Sequence, residues 1–444
     1  MLFQRTLFTY IMARFRYFSI IRLLIIIGLS TGCKKDRDDS LGPVIVFEAP
    51  NAGAQFFFGD AIPVKAKVTD ETSIEYIRIQ ITNAANQIFL QSILYKDEGR
   101  EKDIETSIFN SDFYLESGTY FIRITASDGT NESVAFRECQ LYGAPKKLDK
   151  VYVVRQTSWN DVTIDSVNAF GLHTMNFLNV DYAGAQIDSR YQTISFLNNT
   201  ENHIYHYQLP EFLLLSNFNE PATELDYFQQ SKYDEQSHAM YAGTVTGKLM
   251  RMNMNGGEIV NSIQQVYNDR VVDFLVTSNY IYVLTESTIG QQRISAYYRN
   301  TAVFYQAIAL DFDAVGILEF QDENHILIAG NEDGALFKIY NNQTNALNDV
   351  FQFYDQETLS GIWPGDNGDF YVYHNDGIVR YTNDMDNYSI GLNIQPTAMK
   401  YEPLTNRVFV VSENGLSILN ESINLELNNY SSTEIKDVLF HYNK

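Results

Sequence analysis

The chain has 444 residues, 45% of them hydrophobic, 14% aromatic and 20% charged, with 55 acidic against 32 basic side chains and a formal net charge of −23. An acidic surface of this kind repels phosphate backbones, and no basic stretch interleaved with aromatics offsets it, so nucleic acid is excluded as a partner. High charge fits a soluble, exposed body.

Residues 1–32 hold four Arg and no acid, and "LLIIIGLSTG" leads to Cys33. A spanning helix needs ~20 apolar residues. This run is shorter, and Arg22 interrupts any longer one. The segment reads as a secretory signal, with Met12 as an alternative start to Met1. "LSTGC" resembles the bacterial lipoprotein signal, in which cleavage precedes a Cys that is then acylated. Gly32 fits that pattern, whereas Leu29 stands one residue further out than usual and Ser30 takes its place. The resemblance implies lipidation at Cys33 and a membrane anchor through the lipid. Removal of 1–32 would leave 28 basic and 55 acidic residues, a net −27. Residues 33–42, including "KKDRDDSLG", have no apolar face and read as a flexible tether. Acids at Asp36, Asp38 and Asp39 resemble the surface-export signals of Bacteroidota lipoproteins, which implies an outer-membrane protein facing the exterior. With Cys33 acylated, Cys139 in "FRECQLY" has no partner for a disulfide and reads as a small buried hydrophobe.

Residues 43–143 carry short alternating strands: "IPVKAKV", "IEYIRIQIT", "GTYFIRITASDG" and "SVAFRECQLY". About a hundred residues of this pattern predict an immunoglobulin-like sandwich. "GDAIPVKAKVTD" and "SGTYFIRITASDG" resemble the Ig-like or PKD-like modules of bacterial surface proteins. Asp70, Glu71 and Asp128 are expected in strand-end turns, as turn formers or as calcium ligands. "GAPKK" (143–147) marks the boundary to a second, repetitive region.

From residue 148 onward one turn recurs. It reads "VTGKLMRM", "TIGQQRISAYY", "NEDGALFKI", "HNDGIVRY" and "SENGLSIL", with Gly247, Gly290, Gly334, Gly377 and Gly415 at intervals of 43, 44, 43 and 38 residues. Stepping back reaches Asn202 and then Asn160–Asp161. Each turn separates two strand-like runs, such as "HILIAGN" and "ALFKIYN", with another run before and another after. A period of ~40–45 residues with four short strands predicts a β-propeller. Seven turns predict seven blades, with six as the alternative because 150–182 is the least regular unit. "IKDVLFHY" (435–442) sits where an eighth unit would begin, and the first unit lacks an inner strand. The expectation is therefore a propeller over 148–444 closed by the C-terminal strand, which removes exposed sheet edges.

Catalytic signatures are missing. "GLSTG" (28–32) matches G-x-S-x-G but lies in the signal segment. "GTVTGKL" (243–249) lacks the spacing and the Ser or Thr of a phosphate loop and reads as a hairpin turn. His203 and His206 in "HIYH" are three apart, so a strand points them to opposite faces. "DFDA" (311–314), "GDNGD" (365–369) and "NDMDN" (383–387) could hold calcium, but read first as turn caps. No other cofactor is implied.

The class is all-β: an Ig-like β-sandwich followed by a seven-bladed β-propeller. The order of signal, tether and domains resembles the accessory lipoproteins that Bacteroidota place beside SusC/SusD-type uptake systems. The resemblance implies non-catalytic binding of an extracellular glycan, peptide or protein; since the turn glycines and asparagines close one rim, the ligand is expected to meet loops on a single face near the central channel, with acidic side chains and tyrosines in contact. The alternatives are a propeller glycan hydrolase or lyase, and a structural subunit of an outer-membrane assembly.

Overall fold

The computed structural model describes residues 41–444, apart from 169–170, 200–202, 220–226, 265–268, 353–357, 375–376, 390–393, 414, 421–424 and 432. Cys33, the signal segment, most of the tether and Asn202 lie outside the described residues. The chain divides into two compact units, Met1–Pro145 and Lys146–Lys444, and no helix occurs among the described residues.

Among its described residues the first unit has six strands: β1 (Val44–Ala49), β2 (Ala54–Phe56), β3 (Ala61–Thr82), β4 (Ile93–Phe109), β5 (Gly118–Ser127) and β6 (Glu132–Leu141). The long β3 organises them. Its first half pairs with β1, its second half with β5, and β4 runs along both. In the first half Ile62, Val64, Ala66 and Val68 are buried; in the second the set is Ile77, Ile79 and Ile81. Side chains alternate along a strand, so the even and odd sets would face opposite ways unless the register changed between them. It does: Ile74 is still buried with the even set, and the ladder to β4 slips between it and Tyr76, after an earlier slip between Thr69 and Ile74. At the earlier slip Asp70 Oδ1 accepts bonds from Thr72 N (2.8 Å), Thr72 Oγ1 (2.8 Å) and Ser73 N (3.1 Å). Both halves therefore feed one core, shared with Ile104, Ile108, Ile122, Ile124 and Cys139. Asp70 and Glu71, expected at a strand end, lie inside β3. The Asp70 carboxylate satisfies the amides of a bulge and so lets the strand continue.

The second unit contains seven four-stranded antiparallel sheets among its described residues. The first joins Leu148–Ser158, Asp161–Asn168 and Gly171–Asn179 to Ile435–Tyr442. The other six come in chain order, and their first strands are Tyr182–Asp188, Phe228–Asp234, Arg270–Val276, Asp313–Phe320, Leu359–Pro364 and Ala398–Glu402. Each first strand touches that of the next sheet, and Ile435–Tyr442 touches both Ala398–Glu402 and Tyr182–Asp188, which completes a ring. The arrangement is propeller-like.

Among the described residues seven separate cores fill the seams. Tyr152, Val154 and Leu439 of the first sheet pack with Ile187, Ile194 and Phe196 of the second. The neighbouring Val151, Val153 and Val438 pack the other way, with Phe409, Leu416 and Ile418 of the seventh. Alternation along one strand thus serves two neighbours. Middle strands such as Thr193–Asn198 and Ala239–Thr244 are buried at every residue. A strand covered on both faces reads as a continuous apolar run rather than as alternation, which is why "HILIAGN" and "RVFVVSEN" look as they do.

Polar latches join the first strands. Lys232 Nζ of the third sheet lies 2.6 Å from Asp273 Oδ1 of the fourth, and Lys400 Nζ of the seventh lies 2.7 Å from Asp437 Oδ1 of the first. Both aspartates come just after a register slip and accept the amide of the next residue, Phe274 (2.8 Å) or Val438 (2.7 Å). Each then reaches onward: Asp273 Oδ2 accepts from Ile317 N of the fifth sheet (3.0 Å), and Asp437 Oδ2 from the Tyr182 hydroxyl of the second (3.0 Å). Burial, and then Asp437, push the Tyr182 phenol well up, so it stays a donor.

Candidate functional site

Three segments noted separately in the sequence converge where the fourth sheet meets the fifth. The turn at Ser287–Gln291 joins Tyr280–Glu286 to Gln292–Tyr298 in the fourth sheet. Gly290 holds it with a left-handed φ of 80° and donates its amide to Ser287 O at 2.9 Å. The connector 310–312 leads into Asp313–Phe320, and the turn 332–334 joins Asp322–Asn331 to Ala335–Asn341 in the fifth. Second-to-third turns and sheet-to-sheet connectors lie at the same end of the strands, so the three meet. They line a groove of about 500 Å³ with Gly290, Gln291, Gln292, Leu310, Asp311, Phe312, Asp313, Asn331, Glu332 and Asp333.

The groove floor is fixed by two buried or half-buried amide side chains. Gln292 Oε1 accepts from Ala314 N (2.6 Å), and its Nε2 donates to Asp313 Oδ1 (3.1 Å) and Ala314 O (3.2 Å). Asn331 holds the next seam in the same way: Leu359 N donates to its Oδ1 (2.7 Å), and its Nδ2 donates to Leu359 O (2.9 Å). Gly330 allows the strand to close on Phe312, since a Cβ there would lie 2.6 Å from both Asp313 O and the Phe312 ring. On this rigid base stand four exposed carboxylates: Asp311, Asp313, Glu332 and Asp333. No lining residue is basic. Lys338 stands at the margin, its Nζ 3.4 Å from Asp311 Oδ1, 3.6 Å from Asp349 Oδ1 and 4.9 Å from the Phe312 ring centre. Clustered carboxylates in a shallow cleft raise the local concentration of cations.

The other residues singled out in the sequence do not join the groove. Asp128 sits in the β5–β6 turn, where its Oδ1 accepts from Thr130 N and Asn131 N, both at 2.6 Å. Asp366, Asp369, Asp384 and Asp386 lie at the opposite end of the sixth sheet, and Asp369 pairs with Arg380. Among the described residues no three His, Cys, Asp or Glu side chains gather as a metal site. His203 and His206 are half-buried and buried respectively. The His206 Nδ1 lies 2.8 Å from Ser195 Oγ, and burial lowers its pKa, which favours the neutral ring. Burial raises the Cys139 thiol to about 11, so the thiolate is scarce.

Two features escaped the sequence reading. One is the recurrent acid at the end of the first strand. Asp188, Asp234 and Glu402 each cap the next turn: Asp188 accepts from Arg190 N (2.9 Å), Asp234 from Gln236 N (3.3 Å), and Glu402 from Leu404 N (3.0 Å) and Thr405 N (2.8 Å). The signal was present as "KYD" (232–234) and "KYE" (400–402), which supply both a latch lysine and a cap. The other is a group of three tyrosines from the fourth sheet, Tyr280, Tyr298 and Tyr305, which no spacing rule unites.

No protein-family model matches the chain, and no curated protein matches it. The solved structures that match do so at low identity. A quinonprotein alcohol dehydrogenase-like protein from Bacteroides thetaiotaomicron is 10% identical, with 90% of this chain and 99% of that chain covered at a TM-score of 0.49. Raptor from Chaetomium thermophilum is 9% identical, with 57% of this chain covered at a TM-score of 0.48, and the match spans only 25% of the Raptor chain. A chain of the Mitotic Checkpoint Complex is 11% identical, with 57% and 82% covered at 0.45.

Proposed function

We propose that this chain is a lipid-anchored binding protein of the outer membrane, acylated at Cys33 and facing the exterior. In this reading 43–143 form an Ig-like sandwich, 148–444 form a seven-bladed propeller closed by the C-terminal strand, and the protein serves as an accessory to a SusC/SusD-type uptake system. Its ligand is an extracellular peptide or protein segment bearing basic side chains, held without chemical change. The observation that carries the ligand class is the groove between the fourth and fifth sheets, where four exposed carboxylates stand on a floor locked by Gln292 and Asn331. Seven turns at one period and the seven seam cores support the blade count.

Two measurements test this. The chain from residue 34 is titrated with Lys- and Arg-containing peptides and with neutral and acidic controls of equal length. Saturable binding of the basic peptides is expected, weakening as salt rises, and at least about tenfold weaker in Asp311→Asn/Asp313→Asn/Asp333→Asn. Equal binding by acidic peptides, or peptide cleavage on long incubation, would refute the proposal. Separately, the mass of the mature N-terminus is expected to show a di- or triacylated Cys33, and a chain that begins elsewhere removes the anchor.

A further inference from the structure

The end of the fourth sheet opposite the groove carries an unusual aromatic group. Tyr280 opens the second strand and Tyr298 closes the third, and the two are paired across the ladder, so their rings stand on one face. Tyr305 joins them through a bulge. The register between the third and fourth strands slips at Ala296/Tyr297, opposite Phe304 and Gln306, which leaves Tyr305 unpaired between them and re-aims its side chain. Ring centres lie 5.7 Å apart for Tyr280–Tyr298, 5.8 Å for Tyr280–Tyr305 and 5.1 Å for Tyr298–Tyr305, with mutual tilts of 32°, 32° and 50°. Tyr298 and Tyr305 are 41% and 38% exposed, too open for rings that serve only as packing.

A carboxylate is built in beside them. Glu323, at the start of the second strand of the fifth sheet, accepts from Asn279 Nδ2 at Oε1 (2.7 Å) and from Asn279 N at Oε2 (3.1 Å). Asn279 immediately precedes Tyr280, so the negative charge is pinned next to the first ring. The Tyr280 phenol feels it: partial burial first, then the Tyr298 and Tyr305 phenols and Glu323, push its pKa up and keep it neutral. Asp322, one residue away, adds an exposed carboxylate, its Oδ1 2.8 Å from His325 Nδ1.

We propose that Tyr280, Tyr298, Tyr305 and Glu323 form a binding site for a small quaternary ammonium cation of the choline type, independent of the acidic groove. A cation binds an aromatic face within ~6 Å of its centre. Every side of the triangle is shorter than that, so one cation above it is in reach of all three rings at once. The rings, more than the carboxylate, select the kind of cation. Asn279 fixes the carboxylate through one bond to each oxygen and leaves about two of its four acceptor sites open, so what it contributes is a negative charge held in place. A primary ammonium seeks acceptors to replace its water, whereas a methylated ammonium has no N–H to satisfy and needs only ring faces and a negative field. A phosphatidylcholine headgroup is disfavoured, because its phosphate would approach Glu323 and Asp322. The occupant is therefore a soluble molecule.

The full chain is titrated by calorimetry with choline chloride and tetramethylammonium chloride, with 3,3-dimethylbutanol as the neutral analogue of the same shape. Saturable binding of both cations is expected with a dissociation constant on the order of 1 mM, and at least about tenfold weaker binding of the alcohol. Tyr298→Ala/Tyr305→Ala, which alters exposed rings only, is expected to abolish binding while leaving the melting temperature within about 2 °C of the parent. Glu323→Gln, which can keep one of its two bonds to Asn279, is expected to weaken binding about fivefold. Binding of the alcohol or of a neutral oligosaccharide as tight as that of choline overturns the proposal. So does full binding by the tyrosine double variant, or preference for phosphatidylcholine vesicles over free choline.

Discussion

Deletion of residues 433–444 is expected to leave the second unit unable to fold as a soluble species at 37 °C. These residues supply the first strand of the first sheet, paired from Ile435↔Arg155 to Tyr442↔Leu148. Ile435, Val438 and Leu439 are at most 3% exposed, and burial of each side chain is worth about 1.5–3 kcal/mol. The Asp437 latches to Lys400 and Tyr182 go with them, as does the bond from the Tyr442 hydroxyl to Glu402 Oε1 at 3.0 Å. The summed loss is on the order of 5 kcal/mol or more, comparable to the whole stability of many domains. The cut also exposes Leu148–Ser158 as a sheet edge with the apolar stretch Val151–Val154 at its middle, which invites aggregation. Expression in the soluble fraction and a thermal melt decide the matter. A truncated chain that melts within a few degrees of the parent would show that closure by this strand contributes little.

The second large effect is expected from Arg299→Met. Arg299 is 7% exposed at the third-to-fourth turn of the fourth sheet, and its guanidinium spans a seam. It donates to Asp234 Oδ2 and Gln236 Oε1 of the third sheet and, at 2.9 Å, to Thr277 O of its own. Methionine fills much of the volume but strands the Asp234 carboxylate, whose side chain is 10% exposed. Breaking one partner of a buried pair costs about 3–5 kcal/mol. For a unit of this size that lowers the melting temperature by roughly 10 °C. The companion Arg299→Met/Asp234→Asn removes the orphaned charge and is expected to recover at least about 1 kcal/mol of the loss, because a neutral amide is far cheaper to bury. If the single variant melts with the parent, or the double variant is worse than additive, the pair is not a structural pin.

The repeated features were the ones legible in the sequence. Gly247, Gly290 and Gly334 mark turns between second and third strands, and the runs on either side of Gly334 are the strands Asp322–Asn331 and Ala335–Asn341. The terminal run 435–442 is a strand, and it lies beside Leu148–Ser158. Local chemistry sufficed there, because turn residues and apolar runs act over a few positions. It did not suffice for β3, where the Asp70–Ser73 stretch reads as a break. Side-chain bonds from Asp70 keep the strand going through a slip, and turn chemistry looks the same whether the chain reverses or merely shifts register. The groove was half legible. "TIGQ", "DFDA" and "NEDG" were each visible, but their meeting depends on two sheets being neighbours. The tyrosine group was less legible still. Tyr305 joins only because a bulge turns it, and Glu323 arrives from another sheet.

The pairing of Leu148 with Tyr442 also has a bearing on the order of events during synthesis. Sheets two to seven each draw their strands from one short stretch of chain, so each can form soon after its residues leave the ribosome, at small loop-closure cost. The first sheet cannot. Its outer three strands are made first, yet they wait without an inner neighbour until residues 435–442 emerge. Throughout that interval the nascent chain carries an open apolar edge at Val151–Val154, and an escort that covers short apolar stretches would act then. A translation arrest between residues 430 and 435 leaves six complete sheets and an unsealed seam, and an earlier one leaves fewer, so the strand Ile435–Tyr442 acts as a completeness check on the whole ring.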